Sequence, residues 1–401
     1  MPKYQYKASN ITGQQIEGVY DANDEMGVRA MLRDKSFYPI EIKEVVEASS
    51  SGEIKLFTKI PVKVMTIFCQ QFAAILKAGV PLTQGLYIMS SQTENKNLKK
   101  VLEDVYEQVQ VGRALSDAFR DHEDKFPSLF FSILEAGEMS GTLDDSFERL
   151  GENFEKDHKL QSKIKNALTY PVVVGIVAII VVIYLLAEVV PTFMGIFASV
   201  GADLPAPTKV LIALSDFVRV NYLLLAGFIL LLIVSVRVLL KTHAGKFAWD
   251  KRKLSLPIFG KLIKKIVAAR FTRTLCTLFS AGVPLTMSLE VTSRALGNLF
   301  VEEGVQEVAE NVKQGRSLAE TLEELDVFPL MVVHMTRVGE ESGTLESMLE
   351  KTADFFTDEA NDAITKMMAM LEPLIIVLLG GMVLFIVVSI LLPMFQMMNI
   401  V

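Results

Sequence analysis

The sequence predicts an all-α integral membrane protein with two repeated cytoplasmic six-helix-bundle domains, three transmembrane helices and a small α+β segment at the N-terminus. Three observations predict this fold class. Apolar residues are concentrated in three blocks, a long segment of the chain occurs twice, and the apolar residues inside each copy recur at helical spacing.

The composition restricts the class of protein before any motif is considered. The 401 residues are 51% hydrophobic and 22% charged, with a mean hydropathy of +0.36, which excludes disorder and indicates membrane segments. The net charge of −7 creates no field that would attract a polyanion, so we expect no nucleic-acid partner. Two distant cysteines, Cys69 and Cys276, and four scattered histidines predict neither a disulfide framework nor a metal site, and we expect no cofactor.

Three uncharged blocks are long enough to cross a bilayer. Residues 166–187 and 373–401 lack charged side chains and exceed the roughly 20 helical residues that span the hydrocarbon core. Residues 220–236 form the third block, which continues to Leu240 beyond a single Arg237 that can extend to the headgroups. The sequence therefore predicts three membrane-spanning helices.

The distribution of basic residues predicts the orientation of these helices. Residues 241–273 hold ten Lys and Arg against one acid, Asp250, which indicates the cytoplasmic side. The loop of residues 199–221 has balanced charges and suits the outer side, and the N-terminus lacks the features of a secretory signal. We expect a multi-pass membrane protein with a cytoplasmic N-terminus and an external C-terminus.

An internal duplication organises the chain. Ala78-Gly79-Val80-Pro81-Leu82-Thr83 recurs unchanged 203 residues later, and further ordered matches continue into the apolar blocks. The matched pairs are Gly112-Arg113 with Gly315-Arg316, Gly137-Glu138 with Gly339-Glu340, Ser140-Gly141-Thr142-Leu143 with Ser342-Gly343-Thr344-Leu345, Pro171 with Pro373, and Pro191 with Pro393. The middle apolar block has no counterpart, so the two copies are parallel and lie on the same side of the membrane.

Local patterns predict the elements inside each copy. Met65, Phe68 and Phe72 follow helical spacing, and the glycines and prolines between such stripes predict about six helices per domain. The N-terminal residues instead alternate as short strands at positions 4–6, 16–20 and 38–42, with an Asn-Ile-Thr-Gly turn between the first two. Residues 48–52, Ala-Ser-Ser-Ser-Gly, are typical of a flexible linker.

These signals divide the chain into successive regions. In order, they are the N-terminal α+β segment (1–47), a linker (48–61), helical domain 1 (62–168), transmembrane helix 1 (169–198), an external loop (199–219), transmembrane helix 2 (220–240), a basic cytoplasmic linker (241–265), helical domain 2 (266–371), transmembrane helix 3 (372–395) and an external tail (396–401).

Sequence motifs of catalysis are missing. The chain has no phosphate-binding loop, no dinucleotide fingerprint, no His-Glu-x-x-His and no Gly-x-Ser-x-Gly, so we expect no enzyme and no catalytic residue. The Gly-Glu-x-Ser-Gly-Thr-Leu segments have the composition of one helix end followed by a helix start, with Thr142 and Asp145 predicting a capping box. Glu138 and Glu340 remain candidates for a contact surface or an ion site between subunits.

Three further charged residues are candidates for contacts. Arg113 and Arg316 each follow a helix-ending glycine, which favours a salt bridge or a bond to a helix carbonyl over a partner contact. Glu188 lies three residues before Pro191, where a charge costs about 2.5 kcal/mol or more at mid-membrane. It either extends to the outer interface or contacts a membrane-embedded partner.

Several motifs together carry a family resemblance. They are Gly-Val-Pro-Leu at 79–82 and 282–285, Gly-Glu-x-Ser-Gly-Thr-Leu at 137–143 and 339–345, Thr169-Tyr170-Pro171, Pro257-x-x-Gly260 and Ala269-Arg270-Phe271. On these segments the chain resembles, over essentially its whole length, the general secretion pathway F family of type II secretion and type IV pilus machines. One departure is Leu371-Glu372-Pro373, where the second copy lacks Thr-Tyr-Pro.

The resemblance implies a non-enzymatic, multi-pass platform protein of the inner (cytoplasmic) membrane, oligomeric in that membrane. Family members couple a cytoplasmic hexameric ATPase to the insertion or extraction of pilin or pseudopilin subunits, together with other inner-membrane assembly proteins. It favours the type IV pilus, with type II secretion and competence systems as alternatives. A transporter would need a polar path through several spans, and a membrane-anchored enzyme would need the missing catalytic motifs.

Overall fold

A computed structural model describes residues 3–9, 15–21, 27, 29, 31–32, 37–45, 59–193, 205–257 and 259–398. The chain divides into two compact units, Met1–Thr58 and Lys59–Val401. The expected turn at 10–13 and the expected flexible segment at 48–52 lie outside the described residues.

The first unit contains a three-stranded antiparallel sheet. Its strands are β1 (Lys3–Ser9), β2 (Gln15–Asp21) and β3 (Tyr38–Val45), with β1 in the middle. The register between β1 and β3 shifts next to Ala8, which lies opposite Pro39, a residue without a backbone N–H to donate. All three strands predicted from alternation are therefore confirmed.

The second unit contains the duplicated helices. Within the described residues each repeat has six helices, which confirms the predicted fold class. Those of the first repeat are α1 (Val62–Lys77), α2 (Leu82–Gln92), α3 (Lys96–Gln110), α4 (Leu115–Arg120), α5 (Ser128–Ser140) and α6 (Leu143–Tyr184). Between the repeats lie α7 (Ala206–Val220), α8 (Tyr222–Lys241) and α9 (His243–Ser255), and the second repeat comprises α10 (Phe259–Ser280), α11 (Leu285–Ala295), α12 (Leu299–Lys313), α13 (Leu318–Leu325), α14 (Leu330–Ser342) and α15 (Leu345–Met398).

The last helix of each repeat continues without interruption into an apolar span. Helix α6 contains Pro171 and leads at Tyr184 directly into a π-helical turn, Leu185–Val189. The helical backbone then continues to Phe193, the last residue described in this part of the chain. Helix α15 passes through Pro373 and Pro393. With α8, these two give three helices within the described part of the chain that are long and apolar enough to cross a membrane.

The segment predicted as an external loop is in large part a helix. Helix α7 begins after Pro205 and places Thr208, Leu211 and Ser215 on one buried face. The Thr208 hydroxyl donates to the Ser389 carbonyl at 2.6 Å, which fixes α7 against α15. The balanced charges of this segment predicted a loop and gave no indication of the buried face. The segment predicted as a tail from residue 396 is also helical as far as Met398.

The basic segment predicted as a linker is also helical. It forms α9 and the beginning of α10, a helix that starts at Phe259 inside the predicted linker and continues into the second repeat. Asp250, the one acid among the basic residues, is buried and accepts a hydrogen bond from Leu299 N at 2.9 Å, while Asn298 donates to the Asp250 carbonyl. Because these bonds cap α12, they attach α9 to the second repeat.

Two apolar cores stabilise the repeats. The first is rich in phenylalanine, with Phe72 and Phe147 edge to face at 4.7 Å between ring centroids. The second has one close aromatic pair, Phe271 and Phe328, at 4.5 Å. Leu278, from the second repeat, belongs to the first core, so the two repeats share buried surface.

Candidate functional site: paired glutamates, arginine pairs and the contact between repeats

The Gly-Glu-x-Ser-Gly-Thr-Leu segment forms the tight turn that joins α5 to α6. A side chain at Gly137 would meet Ser146 Oγ at 2.0 Å, so only glycine lets the two helices approach this closely. Gly141 has φ +74° and ends α5, and Thr142 N donates to the Gly137 carbonyl at 2.8 Å. The motif therefore encodes a helix–turn–helix packing, repeated at Gly339 and Gly343.

Glu138 follows that glycine and caps the start of α4. Its two carboxylate oxygens accept hydrogen bonds from Leu115 N at 2.5 Å and Ser116 N at 2.9 Å. The N-cap residue of α4 is Ala114, which has no side-chain oxygen to satisfy these donors. A carboxylate from a neighbouring helix thus replaces a local cap and also compensates the positive end of the helix dipole.

Glu340 repeats this geometry in the second copy. It accepts from Leu318 N at 2.9 Å and Ala319 N at 3.2 Å, at the start of α13. Here Ser317 adds its own cap by accepting from Glu320 N at 3.4 Å, and its hydroxyl donates to Glu340 at 2.7 Å. Both glutamates are thus engaged by N–H donors of their own repeat, which favours a structural role over an ion site between subunits.

The predicted capping box at Thr142 is wrong. No side-chain hydrogen bond from Thr142 caps α6, and the Thr142 hydroxyl lies 2.8 Å from Ser140 Oγ. The turn through Gly141 directs the hydroxyl back towards the end of α5, where Ser140 competes for it.

Arg113 and Arg316 occupy equivalent places and form equivalent ion pairs. Arg113 binds Asp121 through both terminal nitrogens, at 2.6 and 3.0 Å, and donates to the Asp117 carbonyl at 3.2 Å. Arg316 binds Glu324 in the same two-point manner. In both pairs the hydrogen bond from the guanidinium is the main cause that lowers the pKa of the acid.

Glu188 lies in the π-helical turn near the end of the first span. Its side chain is exposed, whereas Leu186 and Val190 on either side are buried against α7 and α15. The Ser215 hydroxyl donates to the Leu186 carbonyl, a group that the wider turn leaves without its usual helical bond. The turn therefore fixes the backbone beside Glu188 and directs the acid outwards.

A polar cleft of about 140 Å³ lies between the two repeats, beside the surface that they share. Its lining includes Arg149, Lys156 and Arg273 opposite Glu152, Glu346 and Glu350, so its charges balance. Nearby, Arg270 donates to Asp157 at 3.1 Å and Asn153 donates to Thr277 at 3.2 Å. Sequence reasoning missed this contact, although one signal was present: Arg270 and Arg273 stand where the first copy has Ile67 and Gln70.

Within the ranges that the structure describes, neither hydrogen-bond partner of the Cys276 thiol on the cleft wall is a base that could activate it. Partial burial raises the pKa of its thiol, and its nearest polar contacts are Ser280 and a backbone carbonyl. Among the described residues no group of three or more His, Cys, Asp or Glu could hold a metal ion.

A duplicated helical domain in which each copy runs directly into a membrane-length helix defines a class of polytopic membrane protein. The sequence model of the family described as "Type II secretion system (T2SS), protein F" matches residues 68–191 and 271–393, and that of its N-terminal domain matches residues 1–43. The chain belongs to this family. The matches place both copies of the repeat, including Glu138 and Glu340, within the family's domain.

Individual relatives match the chain over nearly its whole length. A type IV pilus assembly protein PilC of Thermus thermophilus is 39% identical over 99% of this chain and 98% of its own length. The PilC of Myxococcus xanthus is 36% identical over 98% of this chain and 94% of its own length. A type II secretion system protein F of Vibrio cholerae is 36% identical over 100% of this chain and 99% of its own length.

Proposed function

We propose that this protein is the inner-membrane platform of a type IV pilus assembly machine, in which it couples a cytoplasmic hexameric ATPase to the insertion or extraction of pilin subunits. The observation that carries the proposal is the family match across both repeats. Relatives named for pilus assembly include two at 36% and 39% identity. A type II secretion platform is the second candidate, because the Vibrio relative of that name is 36% identical.

The proposed orientation places both repeats in the cytoplasm. In the described residues, α6 and α15 end the helical part of each repeat with an apolar span, and α8 is a further span without a counterpart in the duplication. An unmatched helix between two parallel copies returns the chain to the side from which it started. The basic residues of α9 and α10 support the cytoplasmic side.

The motor is proposed to be a separate protein. The chain lacks a phosphate-binding loop, and the described cleft between the repeats has balanced charge where a nucleotide needs an excess of donors and cations. The repeats use their apolar faces for their own cores, so an ATPase would contact polar surfaces and helix ends. Such a contact is sensitive to salt.

Full-length protein in lipid nanodiscs provides the test of this proposal. Fragments that end near residues 165 and 372 would cut through α6 and α15 and expose the surface that the repeats share. We expect the intact protein to hydrolyse no ATP by itself and to bind its hexameric ATPase, more weakly as salt rises. ATP turnover by the purified protein, or no binding at low salt, contradicts the proposal.

Deletion of the gene separates the two candidate machines. We expect loss of surface pili with normal secretion of folded exoproteins if the platform serves a pilus. Loss of secretion with normal pili would assign the protein to type II secretion instead.

Glu188 is proposed to contact a membrane-embedded partner. The π-helical turn holds this acid exposed near the end of a span, and its counterpart in the second copy is the apolar Ile390. We expect Glu188→Gln to reduce filament assembly severalfold while the protein accumulates normally, because the change removes charge and retains shape. Thr192→Val, one turn further along, is the control, and normal assembly by Glu188→Gln would show that the acid serves only to reach the interface.

A further inference from the structure

The two repeats contact each other through their equivalent last helices, α6 and α15, and beside these through faces that differ between the copies. Helices α10 and α11 of the second repeat pack against α5 of the first. Leu278, Val283 and Val291, which we call the inserting face, are at most 8% exposed and belong to the apolar core of the first repeat. The contact is therefore made by substantial apolar burial in addition to the polar bonds of the cleft.

The first repeat contributes a stripe on α5 to this contact. Leu129, Ser132, Ile133 and Ala136 are spaced at i, i+3, i+4 and i+7, and we call them the receiving face. The first three are buried and Ala136 is half-buried. Because the inserting and receiving faces differ, this part of the contact joins the repeats head to tail.

The duplication gives the second repeat an equivalent receiving face. On α14 the corresponding residues are Met331, His334, Met335 and Val338, with the same spacing. Val338 is 50% exposed, Met331 is 36% exposed, and the adjacent Leu330 is 67% exposed. The described chain thus leaves largely uncovered on the second repeat a stripe that it covers on the first, with His334 as its one polar member and Met335 half-buried.

The first repeat retains an equivalent inserting face. Ile75, Val80 and Ile88 correspond to Leu278, Val283 and Val291, and all three are only half-buried. They lie on and beside α2, whose eleven residues, Leu82–Gln92, include no charged side chain. Removing such a surface from water leaves no unpaired charge behind.

We propose that a second copy of this chain occupies the uncovered stripe: the inserting face of the first repeat in one copy packs on Met331, His334, Met335 and Val338 of another. The occupant follows from the internal contact, because two equivalent faces already pack together within each chain. The proposal rests on the duplication and is independent of the proposed function.

The symmetry of such an assembly follows from the contact. Each copy carries one free face of each kind, and a head-to-tail association forms a ring of copies where the rotation from one copy to the next closes, and an open array where it does not. The spans of every copy must cross the membrane in the same direction, which places the ring axis along the membrane normal. The repeats of all copies then follow one another around this axis, with internal and external contacts alternating.

Charged substitutions in the full-length protein test the contact. We expect Ile88→Lys and Val338→Glu each to raise the concentration for half-association in detergent at least about tenfold, because each buries an unpaired charge in an apolar contact. The double variant places opposite charges at every contact and should recover much of the association. Val111→Glu, at a site that is 85% exposed and away from both faces, is the matched control. The readout is molar mass by light scattering across a concentration series.

The double variant keeps this test independent of folding. Damage to folding by the single changes would add up in the double variant, whereas a direct contact predicts rescue. Unchanged mass in both single variants, or no rescue in the double variant, would overturn the proposal.

Cross-linking supplies a second, geometric test. Copies with Ile88→Cys and copies with Val338→Cys, carrying different tags, are mixed in a background with Cys276→Ser. Native Cys69 is buried, and burial raises the pKa of its thiol, so it reacts slowly. We expect a disulfide product that carries both tags. Products that join only identical variants, or no product at all, would exclude the head-to-tail contact.

Discussion

Glu138 and Glu340 show how a single side chain can complete an element that is distant in sequence. Each carboxylate comes from α5 or α14 and satisfies backbone donors at the start of a helix about 20 residues earlier. In the first repeat the local N-cap residue is Ala114, whereas in the second Ser317 assists. Replacing the glutamate should therefore lower the free energy of unfolding more in the first repeat than in the second.

We expect Glu138→Gln to lower the free energy of unfolding by about 1–3 kcal/mol, because an amide NH₂ group would face backbone N–H donors. Glu340→Gln should cost less, since Ser317 still caps α13. The midpoint of thermal unfolding in detergent measures both. Glu135→Gln is the control on the same helix, because it breaks only an exposed ion pair with Arg120. Equal losses for Glu135→Gln and Glu138→Gln would contradict the capping role.

The paired arginines predict a dependence of stability on acid pH. Arg113 and Arg316 lower the pKa values of Asp121 and Glu324 below their ordinary values in the folded protein. The two pairs therefore stabilise the fold above about pH 4, where the unfolded acids are ionised, and lose this effect as pH falls through the lower folded pKa values.

We expect Asp121→Asn combined with Glu324→Gln to flatten the loss of stability with pH in this acidic range. The variant should be less stable than the unmodified protein at pH 7 and equal to it at the acidic end, as measured by thermal midpoints from pH 7 to pH 2.5. Asp124→Asn, an exposed acid in the loop after α4, is the control. An unchanged pH profile would show that the pairs form equally in the unfolded chain.

The sequence predicted some residue roles because they are local. Arg113 follows Gly112 directly, so a carbonyl contact or salt bridge close by could be predicted, and the structure has both. The capping role of Glu138 could not be predicted, since it depends on how α5 packs against α4. The capping box predicted at Thr142 was wrong, because the residue types of a capping box also occur in a Ser-Gly-Thr turn, where the threonine hydroxyl bonds the serine instead.

At the scale of elements, the closest helix approach in the hairpin between α5 and α6 depends on Gly137. We expect Gly137→Ala to lower the free energy of unfolding by about 1–3 kcal/mol, because the added carbon would lie 2.0 Å from Ser146 Oγ and 2.7 Å from its Cβ. Gly175→Ala, in the apolar part of α6 with no atom within 4 Å of the added carbon, is the matched control and should cause no loss.

Thermal midpoints of the two alanine variants in detergent provide the measurement. Adding Ser146→Ala to Gly137→Ala should restore part of the loss, since it removes the nearest of the clashing atoms. A Gly137→Ala variant as stable as Gly175→Ala would mean that the hairpin opens at no cost, and the motif would then need another explanation.

Helices flanked by glycine and proline were predictable, and helices fixed by buried polar groups were not. Pro81, Pro127 and Pro329 each precede a helix where the sequence placed one. By contrast, the segments that form α7 and α9 were predicted as a loop and a linker from their charges alone. The bonds that hold them, from Thr208 and to Asp250, reach residues 181 and 49 positions away.

At the scale of the whole molecule, the duplication was visible in sequence because its turn motifs are identical, and the relation between the copies was not. The inserting face and its counterpart have the same apolar character, with Val283 matching Val80 and Val291 matching Ile88. Only packing decides which copy is covered. Asymmetry therefore arises from connectivity, because α7, α8 and α9 lie between the copies and follow only the first span.

The orientation of the chain in the membrane determines which partners each domain can contact. We expect both repeats and the N-terminus to face the cytoplasm and the C-terminus to lie outside, because three crossings separate the first repeat from the end of the chain. Single cysteines introduced at Ser51, Ala202, Gln314 and Val401, in a background with Cys276→Ser, sample each side. A thiol reagent that does not cross membranes should label only positions 202 and 401 when the outer membrane is permeabilised and the inner membrane is intact.

The control is the same labelling after lysis of the inner membrane, when the cysteines at positions 51 and 314 should react as well. Gln314 is suitable because it is exposed at the end of α12, outside the contact between the repeats. Labelling at 314 before lysis would place the second repeat outside. The head-to-tail contact would then fail together with the topology, because it joins the first repeat of one copy to the second repeat of another and needs both on the same side of the membrane.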